Sequence, residues 1–134
     1  MKRDPVNEGQ RWLIQSKSDI CDARYLYDGS RYNACCFFCQ QAAEKAIKAY
    51  LYTRGAEHVF GHSVAELCQE ASKLDHDFKT IKTAVSPLDI FYIPTRYPNG
   101  LPGGIPSEAF SEEDAKRALD MAEKVVALVD KLIT

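Results

Sequence analysis

In CCFFCQQAAEKAIKAY, residues 35–50, three cysteines fall within five positions and are followed by two glutamines, a glutamate and two lysines. Wound at about 100° per residue, the stretch separates into two faces. Phe38, Ala49, Ala42, Cys35, Ala46, Cys39, Tyr50, Ala43, Cys36 and Ile47 share one arc about 180° wide, and all three cysteines lie inside it. Free cysteine packs there as a small hydrophobe, so the segment is a helix pressed by neighbours on two sides. A zinc site needs about four convergent ligands, and the remaining cysteines, Cys21 and Cys68, are isolated. Cys36 and Cys39 form a C-x-x-C, which alone does not make a redox or metal site; the expectation is reduced, metal-free thiols and no cofactor. The opposite arc holds Asn33, Gln40, Glu44, Lys48, Gln41, Lys45 and Tyr52 with Phe37 in its middle. Its charges read as a solvated face with i,i+4 pairs, but Phe37 marks a self-association or ligand face.

Around this helix the chain reads as further helices and no strand. Leu13, Ile20, Ala23 and Tyr27 recur at helical spacing in residues 7–27, with Gly29 expected to take a left-handed cap. The second helix runs over residues 32–54 and is closed by Gly55; Ser63, with Glu66 three residues on, is a capping box opening a short helix that ends near Lys73. Residues 77–92 are helical in pattern, interrupted by Pro87, so two short pieces meet at Ser86. Four prolines and three glycines in residues 93–110 predict irregular structure. Ser111 then caps the last helix, whose first turn is acidic and whose buried stripe is Ala115, Leu119, Ala122, Val126, Val129 and Leu132.

A chain of 134 residues makes one domain, residues 1–134, with a single core. A net charge of −2, with 27% charged residues, is too balanced to imply a binder of duplex DNA or anionic membrane from bulk electrostatics, and leaves room for a local basic patch. No apolar run is long enough for a membrane span, MKRDPVNEGQ lacks a signal-peptide core, and an odd cysteine count fits a reducing compartment, so a cytoplasmic location is expected.

Four fragments in order, QQAAEKAIKAYL, GHS, LDIFYIPTRYP and SEEDAKRALDMAEKVV, resemble the HEPN domain family over about Gln10 to Leu132. The resemblance implies an all-α, up-and-down bundle of four to five helices that forms a homodimer and handles nucleotide or RNA. It also implies partnership with a minimal nucleotidyltransferase in a toxin–antitoxin-like pair. The family's nuclease branch uses an arginine and a histidine separated by four to six residues. Here Arg54 is separated from His58 by three residues and from His62 by seven, and Arg96 has no histidine after it. His62 and Arg96 supply that chemistry only if the fold brings them together. The ligand-binding candidates are Arg96, held between prolines and suited to phosphate, with Tyr97, Glu44, Lys48, Gln41 and His62. Three readings follow: a nucleotide- or RNA-binding module, a metal-independent ribonuclease with a displaced Arg/His pair, and a non-catalytic protein-interaction bundle. No metal site and no membrane partner is expected.

Overall fold

The computed structural model describes residues 4–134. Helix α1 spans Pro5–Asp28, α2 Tyr32–Thr53, α3 Val64–Ser72 and α4 Asp77–Val85, followed by a 3₁₀ segment Ser86–Phe91 and a 3₁₀ turn Pro98–Gly100. The one-turn helix α5, Pro106–Ala109, leads into α6, Glu112–Ile133. Among the described residues the protein is all helical, as expected.

The helix ends follow local chemistry. Asp4 accepts from the Asn7 N–H and Pro5 occupies the first turn of α1, where a missing N–H costs nothing. At the other end, the Arg31 N–H bonds to the Leu26 carbonyl and the Ser30 N–H to that of Tyr27, the paired bonds of a Schellman turn. Because α1 runs one residue beyond Tyr27, Ser30 (φ 61°) takes the left-handed position, and Gly29, with φ −87°, does not. The same pair of bonds closes α2, from Ala56 to Leu51 and from Gly55 to Tyr52, and here the expected glycine (φ 101°) does sit at the left-handed position. Ser63 caps α3 by accepting from the Glu66 N–H at 3.1 Å, but Glu66 does not return the bond. Asp89 instead caps the first turn from the 3₁₀ segment, accepting from Ser63 Oγ at 2.7 Å, Val64 N at 2.5 Å and Ala65 N at 3.3 Å. Ser111 and Asp114 form a full capping box on α6, and the Ser111 backbone N–H on the Asp114 carboxylate holds that acid below its ordinary range.

Helix α2 is the centre of the bundle, packed by α1, α3, α5, α6 and the 3₁₀ segment. Its small residues let the neighbours approach closely. A Cβ added at Gly9 of α1 would lie 1.8 Å from Thr53 Oγ1 and 2.9 Å from the Ala49 carbonyl, so only glycine fits that crossing. Ser16 Oγ donates to the Ala42 carbonyl at 2.7 Å, satisfying a hydroxyl sealed in the same seam. Helix α6 runs antiparallel to α1, with Lys17 paired to Asp130 and Arg24 to Glu123 on the outside. Its stripe is buried except at Leu132, which is half-buried.

Two expectations about surfaces change. The core of the polar arc of α2 is not solvated: Gln40, Glu44 and Lys48 are 0%, 4% and 5% exposed, because Trp12 of α1 covers Lys48 and His62, in the turn before α3, closes over Gln40 and Glu44. Residues 93–110, read as irregular, contain the 3₁₀ turn and α5, and prolines at their first turns account for both.

Cys35, Cys36, Cys39 and Cys68 are buried and unbridged, while Cys21 is exposed. No group of three or more metal-capable side chains occurs among the described residues, and no helix there is long and apolar enough to cross a membrane. Burial pushes the Cys36 and Cys68 thiols up to about 12, which keeps them out of the reactive thiolate form near neutral pH. Thiol titration of the native protein is therefore expected to find one fast group, Cys21, and the other four only on unfolding. Rapid labelling at Cys36 or Cys39 would contradict this packing.

Candidate functional site

The peptide leaving the 3₁₀ segment makes a tight turn in which the Arg96 and Tyr97 N–H groups both bond to the Ile93 carbonyl, at 3.0 and 3.1 Å. Thr95, 1% exposed, anchors it from inside by donating to the Phe91 carbonyl, and Asn33 of α2 donates to the Thr95 carbonyl at 3.1 Å. The turn throws Arg96 back along its own chain. Its Nε donates to the Tyr92 carbonyl at 2.9 Å, and the guanidinium lies 4.3 Å from the Phe37 ring centroid, 4.7 Å from that of Tyr92 and 5.1 Å from that of Tyr97. Cation–π contacts at such exposed positions contribute about 0.5–1 kcal/mol each, enough to hold the planar group in place. Phe37 thus stands among polar residues as part of the arginine's aromatic cradle. Arg96 makes no ion pair with Glu44 or with any other carboxylate among the described residues, and its terminal nitrogens donate to no other group there.

His62 stacks on the same Tyr92 ring, with centroids 4.7 Å apart and planes at 18°. The fold therefore does bring His62 and Arg96 to one place, although 33 residues separate them in the chain. The imidazole Nδ1 faces Glu44, 3.2 Å from Oε1 and 3.3 Å from Oε2, and Gln40 Nε2 donates to the His62 carbonyl at 2.7 Å. Glu44 also accepts from Lys48 Nζ at 3.0 Å, from Gln40 at 3.3 Å and from Gln41 at 3.5 Å. A buried carboxylate with this many donors has its charge matched and its lone pairs used, which the low dielectric of the interior requires.

The six ligand-binding candidates divide into an outer and an inner set. Arg96, Tyr97 (51% exposed) and the His62 side chain (57% exposed) face solvent together, and half-buried Gln41 lies on the adjoining turn of α2. Glu44 and Lys48 lie behind them, the lysine sealed against Trp12 with Nζ 5.7 Å from the ring centroid. Lys45 is held by buried Asp19 at 2.7 Å. Arg54 is turned onto Tyr50, donating to its hydroxyl at 2.7 Å, and His58 stacks on Phe60 instead. Of the aromatics around Arg96 in the sequence, Phe91 is buried against Phe110, Tyr92 is half-buried and Tyr97 is exposed. Sequence reasoning put Gln40 on the polar arc and read Tyr92 as an uncovered aromatic of a dimer face, without naming either, or Asp89, among the ligand-binding candidates. Tyr92 had one available signal, its position one helical turn before Arg96.

The HEPN domain model matches residues 10–132. The crystal structure of TT1696 from Thermus thermophilus is 34% identical, with 93% of this chain and 98% of that chain covered at a TM-score of 0.83. ST0689, described as an archaeal HEPN homologue, is 33% identical over 100% of both chains with a TM-score of 0.78. An HEPN domain protein from Thermotoga maritima, tm0613, is 27% identical over 91% of this chain and 96% of that one, with a TM-score of 0.68. No curated protein matches the chain. The domain match spans nearly the whole sequence and the bundle superposes on these structures from end to end: the chain belongs to the HEPN domain family.

Proposed function

We propose that this HEPN protein binds nucleotide or RNA by gripping phosphate with Arg96, acts as a homodimer, and is partnered with a minimal nucleotidyltransferase in a toxin–antitoxin-like pair. The observation that carries the binding reading is the Arg96 guanidinium, stacked among Phe37, Tyr92 and Tyr97 with no carboxylate partner among the described residues. A pre-positioned fork loses little entropy on closing over phosphate, and the exposed Tyr97 ring offers a base a surface to stack on. Support for self-association comes from the same segment, where Ile90 and Ile93 are 62% and 41% exposed next to the cradle. The nucleotidyltransferase partnership rests on membership of the family.

Displaced-pair ribonuclease activity is the second reading, and the observation favouring it is the shared Tyr92 ring under His62 and Arg96. Metal-independent cleavage needs a proton-transfer group within about 3 Å of the reacting oxygen, and the arginine–histidine spacing that serves the family's nuclease branch is absent here. We therefore expect this chain to bind RNA better than it cuts it.

Arg96→Ala is expected to weaken binding of a short single-stranded RNA by about tenfold or more, because a charge-assisted fork is lost, with Arg96→Lys falling between. If Arg96→Ala binds like wild type, the phosphate reading is wrong, and the interaction-bundle reading takes its place. Incubation of a structured RNA with chelator present is expected to give slow cleavage. Efficient cleavage abolished by His62→Ala would put the ribonuclease reading first. Light scattering at roughly tens of micromolar is expected to give two chains per particle, and a monomer there would remove the dimer from the proposal.

A further inference from the structure

Helix α1 buries one side against α2 and α6, through Gly9, Leu13, Ser16, Ile20 and Ala23, and turns the other to solvent. On that outer side Arg11, Ile14, Ser18, Cys21, Tyr25 and Asp28 follow one another at alternating steps of three and four, and all are exposed. Such steps keep residues on one line along a helix, and they are the spacing by which two helices interlock. Ile14 and Tyr25 are 65% and 81% exposed, and the charges of the line stand only at its ends, a cation at one and an anion at the other. A face that is simply wet has no reason to keep its apolar residues inside and opposite charges outside.

The line is its own complement. Turning a second copy about a two-fold axis between Ser18 and Cys21, with the two α1 helices antiparallel, sets Arg11 against Asp28, Ile14 against Tyr25 and Ser18 against Cys21 of the second copy, and each contact occurs twice. Tyr25 also meets a recess there. Beside Ile14 a cleft of about 550 Å³, lined by Trp12, Gln15 and Lys45, opens between α1 and α2, so the ring that projects from one copy faces an aromatic-lined hollow on the other. On the flank toward α6, Lys17 and Arg24 are already paired with Asp130 and Glu123, which removes the repulsion between copies that they would otherwise bring. Asp28 has no ion pair among the described residues. Arg11 is held by Glu8 at 2.7 Å with its side chain 57% exposed, and a guanidinium has donors enough for a second carboxylate.

We propose that α1 is a pairing face for a second copy of this chain, the two helices packed antiparallel about an axis between Ser18 and Cys21. None of its residues belongs to the Arg96 cradle or to the exposed Ile90 and Ile93, so it is separate from the segment that supports the homodimer above. Its line of six residues a side is short of the roughly 20–30 in a standard interface, so it joins copies at higher concentration than that homodimer needs.

The test cross-links the native protein at a few hundred micromolar with a short bis-maleimide, which reports on α1 because Cys21 is the exposed cysteine and lies beside the axis. Wild type is expected to give covalent pairs through Cys21, and Cys21→Ser none. Arg11→Asp and Asp28→Arg each bring like charges together at both contacts, and each alone should cut the cross-linked fraction by about tenfold. Mixed in equal amounts, the two variants should recover it, because one then offers two anions and the other two cations, and both contacts attract again. Within one chain the two positions lie about 25 Å apart along the helix, so no effect inside a single molecule imitates that recovery. Tyr25→Ala, which removes the projecting ring, should lower the fraction as well. Absence of wild-type cross-links, single variants that cross-link like wild type, or a mixture that does no better than its parts overturns the inference. The homodimer and the phosphate grip then stand as they were, since neither uses these residues.

Discussion

A carboxylate taken out of water must be matched, and Glu44 sets that requirement for the whole site face of this bundle. Its side chain is 6% exposed, and it collects Lys48, Gln40, Gln41 and His62. Lys48 and Gln40 follow and precede it by one helical turn, so α2 supplies its own counter-charge. His62 comes from the turn before α3, and that turn is thereby fastened to the middle of α2. Removing one member of a buried ion pair costs about 3–5 kcal/mol, more than any exposed ion pair on this surface contributes. The polar interior therefore determines where the exposed histidine stands, and the histidine in turn shares a ring with the arginine.

The outer layer is held by a different force. Among the described residues Arg96 has no carboxylate to direct it, and its orientation comes from three aromatic rings and one bond to the Tyr92 carbonyl. Aromatic faces fix a guanidinium without using up its terminal donors, whereas an ion pair would neutralise the group it positions. Tyr92 serves both layers, carrying His62 and Arg96 on one ring, and its place is secured by Asp89 three residues earlier, which ties the 3₁₀ segment to the head of α3.

Much of this was legible in the residues. Gly55, Ser63 and Ser111 marked helix ends because capping chemistry is local, and the cysteine-rich arc of α2 marked buried surface because periodicity separates one face from the other. Periodicity does not say how many faces a helix buries. The arc of Gln40, Glu44 and Lys48 read as wet because polarity usually means water; what the pattern could not carry was that these residues satisfy one another and a histidine 18 residues from Glu44. Phe37 was the visible irregularity, and its explanation lay in Arg96, 59 residues further on. Tyr92 was hidden within the helical pattern of residues 77–92, since a ring's role as a shared platform depends on what two separate segments place against it. Ser30 taking the left-handed turn in place of Gly29 reflects a helix one residue longer than its apolar repeat.

The two exposed ion pairs between α1 and α6 are too weak to matter much as glue, at about 0.2–1 kcal/mol each. Their spacing gives them another use. Lys17 and Arg24 are seven residues apart, as are Glu123 and Asp130, so the antiparallel helices carry two matching marks two turns apart. A slip of α6 by those two turns that set Lys17 opposite Glu123 would set Arg24 opposite Lys116, two cations facing each other. The pairs thus work as a vernier: the charges on the flank of α6 make the observed alignment readable and the two-turn slip repulsive.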